Sequence, residues 1–133
     1  MSSAATILFV DDDRDFLMAQ KAWFGAHGYE VLTAETSDEA LAVLAEVRPR
    51  IIFLDLMMEH YDSGFTLGRR MRAIPGIEQV PIVMLSGVAA ATGQRFDEEA
   101  PGLKEWSKLD GFLDKPVTSK QLLRVVDTLA PGL

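Results

Sequence analysis

The chain has 133 residues, 48% of them hydrophobic and 25% charged, the make-up of one globular domain long enough to bury its own core. Its 20 acidic residues outnumber 13 basic ones for a net charge of −7, which excludes a broad basic surface for nucleic acid or anionic membrane. Cysteine is absent, and with it any disulfide framework, thiolate metal site or thiol nucleophile. The start, Met1 to Thr6, has no basic region, and the apolar run behind it ends in three aspartates, so it does not read as a signal peptide. No run approaches the ~18 apolar residues of a membrane helix. The expectation is a cytoplasmic single domain over 1–133, with no membrane contact and no output domain.

Strand-like and helix-like segments alternate along the chain. Ile7 to Val10 is an unbroken apolar run that meets Asp11, Asp12 and Asp13. Arg14 to His27 carries Phe16, Leu17, Ala19, Trp23 and Phe24 at helical spacing, with Gly28 as its stop. Glu30 to Ala34 reads as a second strand. Ser37 is placed to cap a helix over Asp38 to Val47 with Ala40, Leu41, Val43 and Leu44 inward, ended by Pro49. A third strand, Ile51 to Leu54, runs into Asp55. A polar loop leads to a helix near Phe65 to Ile74, stopped by Pro75 and Gly76. Pro81 opens a fourth strand, Ile82 to Leu85, ending at Ser86. After a long, mostly polar stretch, Phe112 to Asp114 forms a short strand before Lys115 and Pro116. Thr118 and Gln121 make a capping box for a last helix through Leu122, Leu123, Val125, Val126 and Leu129.

Five such units predict an α/β fold with a doubly wound, five-stranded parallel sheet and helices on both faces. Apolar runs without alternation suit strands covered on both sides. Ligands of such sheets bind outside the carboxyl ends of the strands. If the first and third strands are neighbours, their acids share one crevice. Carboxylates so close repel unless a hard cation or shared protons hold them.

Asp11 and Asp12 on the first strand, Asp55 on the third, Ser86 on the fourth and Lys115 on the fifth together resemble the receiver domain of two-component response regulators, a flavodoxin-like fold, over essentially the whole chain. The matching stretches are Ile7 to Asp12, Leu54 to Met58, Leu85 to Gly87, and Lys115 with Pro116. The resemblance implies a phosphorylatable signalling switch. Asp55 would be the phosphoacceptor, with Asp12 and Asp55 ligating Mg²⁺ directly, Asp11 through water, and the Met57 backbone carbonyl completing the protein ligands. Lys115 and the Ser86 hydroxyl would hold phosphoryl oxygens. Ser86 would shift on phosphorylation and Phe112 would turn inward, altering the partner-binding face around the fifth strand. The implied partners are a histidine kinase or histidine phosphotransfer protein and a downstream protein target, with no direct nucleic-acid contact, for a monomer or a phosphorylation-dependent dimer. Met57 and Val88, both apolar, flank the implied phosphosite and predict a long-lived phosphoryl group.

Two stretches depart from the family pattern. Glu59 stands where a proline is usual, and one extra residue separates Asp55 from Gly64; a looser, more acidic turn is expected. Gly87 to Asp110 is longer than the family normally uses between these strands and remodels the output surface, with a loop containing Phe96 and, beyond Pro101 and Gly102, a short helix containing Leu103 and Trp106.

Other residues read plainly. Asp13 is a helix cap or solvated residue, His27 a helix-end charge, and His60 a solvated loop residue. Arg69, Arg70 and Arg72 form a solvated helix face, and Trp106 anchors its loop. Two other functions compete. A haloacid-dehalogenase-like phosphatase would use Asp11 and Asp13 as its first-strand motif, but the chain lacks a later acidic pair after Lys115 and a cap domain. A constitutive pseudo-receiver adaptor would turn over no phosphate, and retention of all five site residues argues against it.

Overall fold

The apolar runs pair side by side into one parallel sheet. The computed structural model describes residues 5–55, 63–78, 80–86, 111–114 and 117–129. Their elements are β1 (Ala5–Val10), α1 (Arg14–Ala26), β2 (Tyr29–Ala34), α2 (Ser37–Leu44), β3 (Ile51–Asp55), α3 (Ser63–Arg72), β4 (Ile82–Ser86), β5 (Gly111–Asp114) and α4 (Ser119–Leu129). The five strands lie in the order β2-β1-β3-β4-β5, and every neighbouring pair is parallel. The chain therefore starts mid-sheet, winds outward to β2, then crosses back past β1 and winds the other way. That reversal puts a switch point between β1 and β3, where open sheets of this kind bind ligands. The doubly wound reading of the sequence agrees with this topology.

Because side chains alternate across a strand, each strand feeds two cores. Leu8, Val10, Ile52, Leu54, Ile82 and Met84 pack on one face with Ala40 and Leu44 of α2 and with Leu67 and Met71 of α3. Ile7, Phe9, Ile51, Phe53, Val83 and Leu85 pack on the other with Leu17 and Phe24 of α1 and Leu122 and Val126 of α4. Every apolar residue of β3 is fully buried. This double burial explains why the runs show no polar alternation.

The helix ends follow local chemistry, with some shifts from expectation. Asp13 caps α1, its carboxylate accepting from the Phe16 N–H at 3.2 Å, and Gly28 follows the helix with φ of 92°. That left-handed conformation is open to glycine at little cost. The cap of α2 is Thr36 rather than Ser37: its hydroxyl accepts from the Glu39 N–H at 3.1 Å, so Ser37 is already helical. This helix ends at Leu44, three residues short of the expected Val47. The third helix also starts and ends earlier than expected, at Ser63 and Arg72. At α4 the capping box forms as anticipated, with Gln121 N–H donating to Thr118 at 3.1 Å and Thr118 N–H to Gln121 at 2.8 Å.

Arg72 is not part of a solvated face. Its Nη1 donates into the carbonyls of Ile77, Glu78 and Val80 at 2.8, 3.0 and 2.6 Å, tying the loop after α3 to the start of β4. Arg69 and Arg70 are exposed, as expected. The expectations for Glu59, His60, Phe96, Trp106 and the Gly87–Asp110 segment fall outside the described residues.

At the sheet centre Phe9 and Phe53 face each other in register and stack, with ring centroids 5.0 Å apart. Truncating a fully buried aromatic ring forfeits its transfer energy and leaves a cavity. Phe53→Ala is expected to lower unfolding stability by about 3–5 kcal/mol, read as a reduced urea midpoint at unchanged slope.

Candidate functional site

The site grows directly from that central pair. Val10 is in register with Leu54, so Asp11 and Asp55 follow one residue later on adjacent strands. Each aspartate lies two residues beyond a member of the Phe9–Phe53 stack, and strand alternation returns both to that face of the sheet. Asp11 is 1% exposed and Asp55 4%, while Asp12 is exposed. One carboxylate oxygen from each of Asp11, Asp12 and Asp55 lies within 4.8 Å of the others. Neighbouring strands and one short turn thus bring together the three acids singled out from sequence.

The turn holding Asp12 is fixed at both ends. The Asp11 N–H continues the β1 ladder to the Ala34 carbonyl at 3.0 Å, and the Asp11 carboxylate accepts from the Asp13 N–H at 2.9 Å. Asp13 in turn caps α1, so its carboxylate is directed at the helix. Arg14, the next residue, turns to Glu35, with Nε 3.1 and 2.9 Å from its two oxygens. That pair is solvent-facing and adds little stability.

Two ionised carboxylates about 5 Å apart repel by about 3 kcal/mol at an effective dielectric near 20. Three such groups, two of them buried, form a site that favours a cation. The donors are all oxygen and all anionic, the set that a hard divalent ion such as Mg²⁺ takes while keeping several waters. The residues present therefore fit Mg²⁺ at Asp11, Asp12 and Asp55.

The remaining expected site positions sit along the same sheet edge or lie beyond the described residues. Asp55 pairs with Leu85, so Ser86 is the next residue along β4. Ser86 pairs with Asp114 and Met84 with Phe112, placing Phe112 on the strand beside β4. Met57 and Lys115 lie outside the described residues, Lys115 directly after Asp114 in the chain. Gln20 was not anticipated: it is a buried polar side chain on α1, bound to Ser119 of α4. His27 donates from Nδ1 to the Trp23 carbonyl at 2.8 Å and stacks on the Trp23 ring, a helix-end role at the opposite end of α1 from the acids.

Comparison with known proteins places this arrangement. A family model for the response regulator receiver domain matches residues 7–127. Protein PilH of Pseudomonas aeruginosa is 26% identical over 131 residues, covering 96% of this chain and 99% of PilH. Response regulator PleD of Caulobacter vibrioides is 33% identical over 126 residues, which span 95% of this chain but only 26% of PleD. Among solved structures, chemotaxis protein CheY4 of Vibrio cholerae superposes with a TM-score of 0.82 at 26% identity, over 96% of this chain and 99% of CheY4. With its five-stranded parallel sheet and three acids at the switch point, the chain belongs to the response regulator receiver domain family.

Proposed function

We propose that this chain is a phosphorylatable signalling switch of a two-component or phosphorelay system, in which Asp55 accepts the phosphoryl group. The observation that carries this reading is the convergence of Asp11, Asp12 and Asp55 within 4.8 Å at the ends of β1 and β3. A carboxylate oxygen of Asp55 attacks phosphorus as the bond to the donor's nitrogen or oxygen breaks, and the leaving group takes the bonding electrons. Bound Mg²⁺ supplies charge neutralisation and alignment of the donor phosphoryl group. Asp12 and Asp55 would hold it directly, Asp11 through water, and the Met57 carbonyl would complete the protein ligands. Lys115 and the Ser86 hydroxyl would hold phosphoryl oxygens.

Output follows from the register. Ser86 and Phe112 are on adjacent strands, so a shift of Ser86 toward the phosphoryl group alters the space beside Phe112. A two-state rearrangement of this kind changes the partner-binding face near β5 and α4. The donor is a histidine kinase or histidine phosphotransfer protein, the receiver of the signal is a downstream protein, and the setting is cytoplasmic. Phosphorylation leaves the chain monomeric or drives a dimer. Catalysis is confined to self-phosphorylation and slow self-dephosphorylation, because apolar Met57 and Val88 orient attacking water poorly.

The phosphatase alternative is disfavoured by Asp13. In that reading Asp13 works beside Asp11, whereas here its carboxylate caps α1. Incubation with acetyl phosphate and Mg²⁺ is expected to add one phosphoryl group by intact mass, with labelling at background in Asp55→Asn and in wild type after chelation. An unlabelled wild type would sink the proposal, and steady phosphate release from small phosphoesters would favour the phosphatase. Once donor is removed, the adduct is expected to persist; its rapid loss would refute the role given to Met57 and Val88.

A further inference from the structure

Gln20 lies on the buried stripe of α1 with Leu17 and Phe24 and is 4% exposed. A leucine or methionine there would pack without any polar group to satisfy. Burying an amide is tolerated when a partner recovers the lost hydration. The partner is Ser119, whose hydroxyl donates to Gln20 Oε1 at 2.8 Å across 99 residues of chain. Within the core between α1 and α4, this contact has a direction and length that apolar packing lacks.

Its location gives it a consequence. Ser119 is the first residue of α4, and Thr118 before it is locked by the reciprocal bonds with Gln121. On the other side, Asp114 is held in register with Ser86. Between those two anchored points the sequence has only Lys115, Pro116 and Val117. The proposed phosphoryl-binding lysine, Lys115, therefore stands only four residues before Ser119 in the sequence.

We propose that Gln20 is a positioning residue for the phosphoryl site: by holding Ser119 it sets where α4 begins, and through that short connection where Lys115 meets the phosphoryl group. The inference rests on the reading of Asp55 as phosphoacceptor. It separates two binding events. The Mg²⁺ acids stand on β1, its following turn and β3, while Gln20 is six residues past Arg14, about 9 Å of helix rise further along α1. Loss of the Gln20–Ser119 bond therefore leaves the cation site intact and weakens the grip on a phosphoryl group, for which small misplacements matter.

The test compares wild type, Gln20→Met, Ser119→Ala and the double variant. Mg²⁺ binding is measured by calorimetry, and beryllofluoride binding is titrated at saturating Mg²⁺. The two single variants approach the bond from opposite ends, so a folding defect in one is caught by the other. The expected result is unchanged Mg²⁺ affinity with beryllofluoride affinity lowered roughly three- to tenfold in each single variant, the range one hydrogen bond spans, and no further loss in the double. Beryllofluoride affinities within about twofold of wild type would overturn the inference, since that is below what one hydrogen bond carries. A parallel loss of Mg²⁺ and beryllofluoride binding would overturn it too, marking general destabilisation. A wild type that binds Mg²⁺ but no beryllofluoride would instead mark the failure of the phosphoacceptor reading.

Discussion

Three carboxylates within 4.8 Å of one another repel, and adjacent strands and one short turn bring them together all the same. Asp11 and Asp55 are buried at the ends of adjacent strands, and Asp12 lies on a turn tied down by its neighbours. Their mutual repulsion opposes this arrangement, and added positive charge relieves it. In the proposed switch a divalent cation would supply that charge, and a phosphoryl group would then bring new negative charge to a pocket balanced for it. On the proposed reading, the place of the metal, the nucleophile and the response to a single added group all follow from this one electrostatic constraint.

Holding the acids in place is the task of the core beneath them. The Phe9–Phe53 stack aligns β1 and β3, and alternation carries the next residues of the same face to Asp11 and Asp55. The cap at Asp13 begins α1 at once, which keeps the turn bearing Asp12 short. Both sheet faces are covered, by α1 and α4 on one side and α2 and α3 on the other, so the strands have little freedom to splay. Packing of this density does not deform smoothly; it favours discrete alternatives, as a switch requires.

Much of this was legible in the sequence because the signals were redundant. Three unbroken apolar runs, Ile7 to Val10, Ile51 to Leu54 and Ile82 to Leu85, each with a polar residue at its carboxyl end, mark three strands and the crevice they share. The T-x-x-Q box at Thr118 was equally plain, since two side chains serve two backbone groups at fixed spacing. Local competition was harder to read. Thr36 and Ser37 are both good caps, and only the reach of Thr36 to the Glu39 N–H decides between them. Arg72 looked like its exposed neighbours because nothing in a helical pattern reveals three carbonyls waiting in the following loop. Gln20 was invisible for a related reason: its partner Ser119 is 99 residues away, and no local period encodes that meeting. The one available hint was a polar residue on an otherwise apolar helical stripe.

Thermal unfolding of wild type and Asp12→Asn, each with chelator and with saturating Mg²⁺, tests the mutual repulsion of the three acids most directly. Asp12 is exposed, so asparagine removes its charge with little change in packing. Without divalent cation the variant should melt above wild type, because one repelling charge has gone from the folded state. With Mg²⁺ the wild type should gain more than the variant, since stabilisation by a ligand grows with its affinity, and the gap should close or reverse. A variant that melts at or below wild type in chelator, or equal Mg²⁺ shifts in both proteins, would contradict the account.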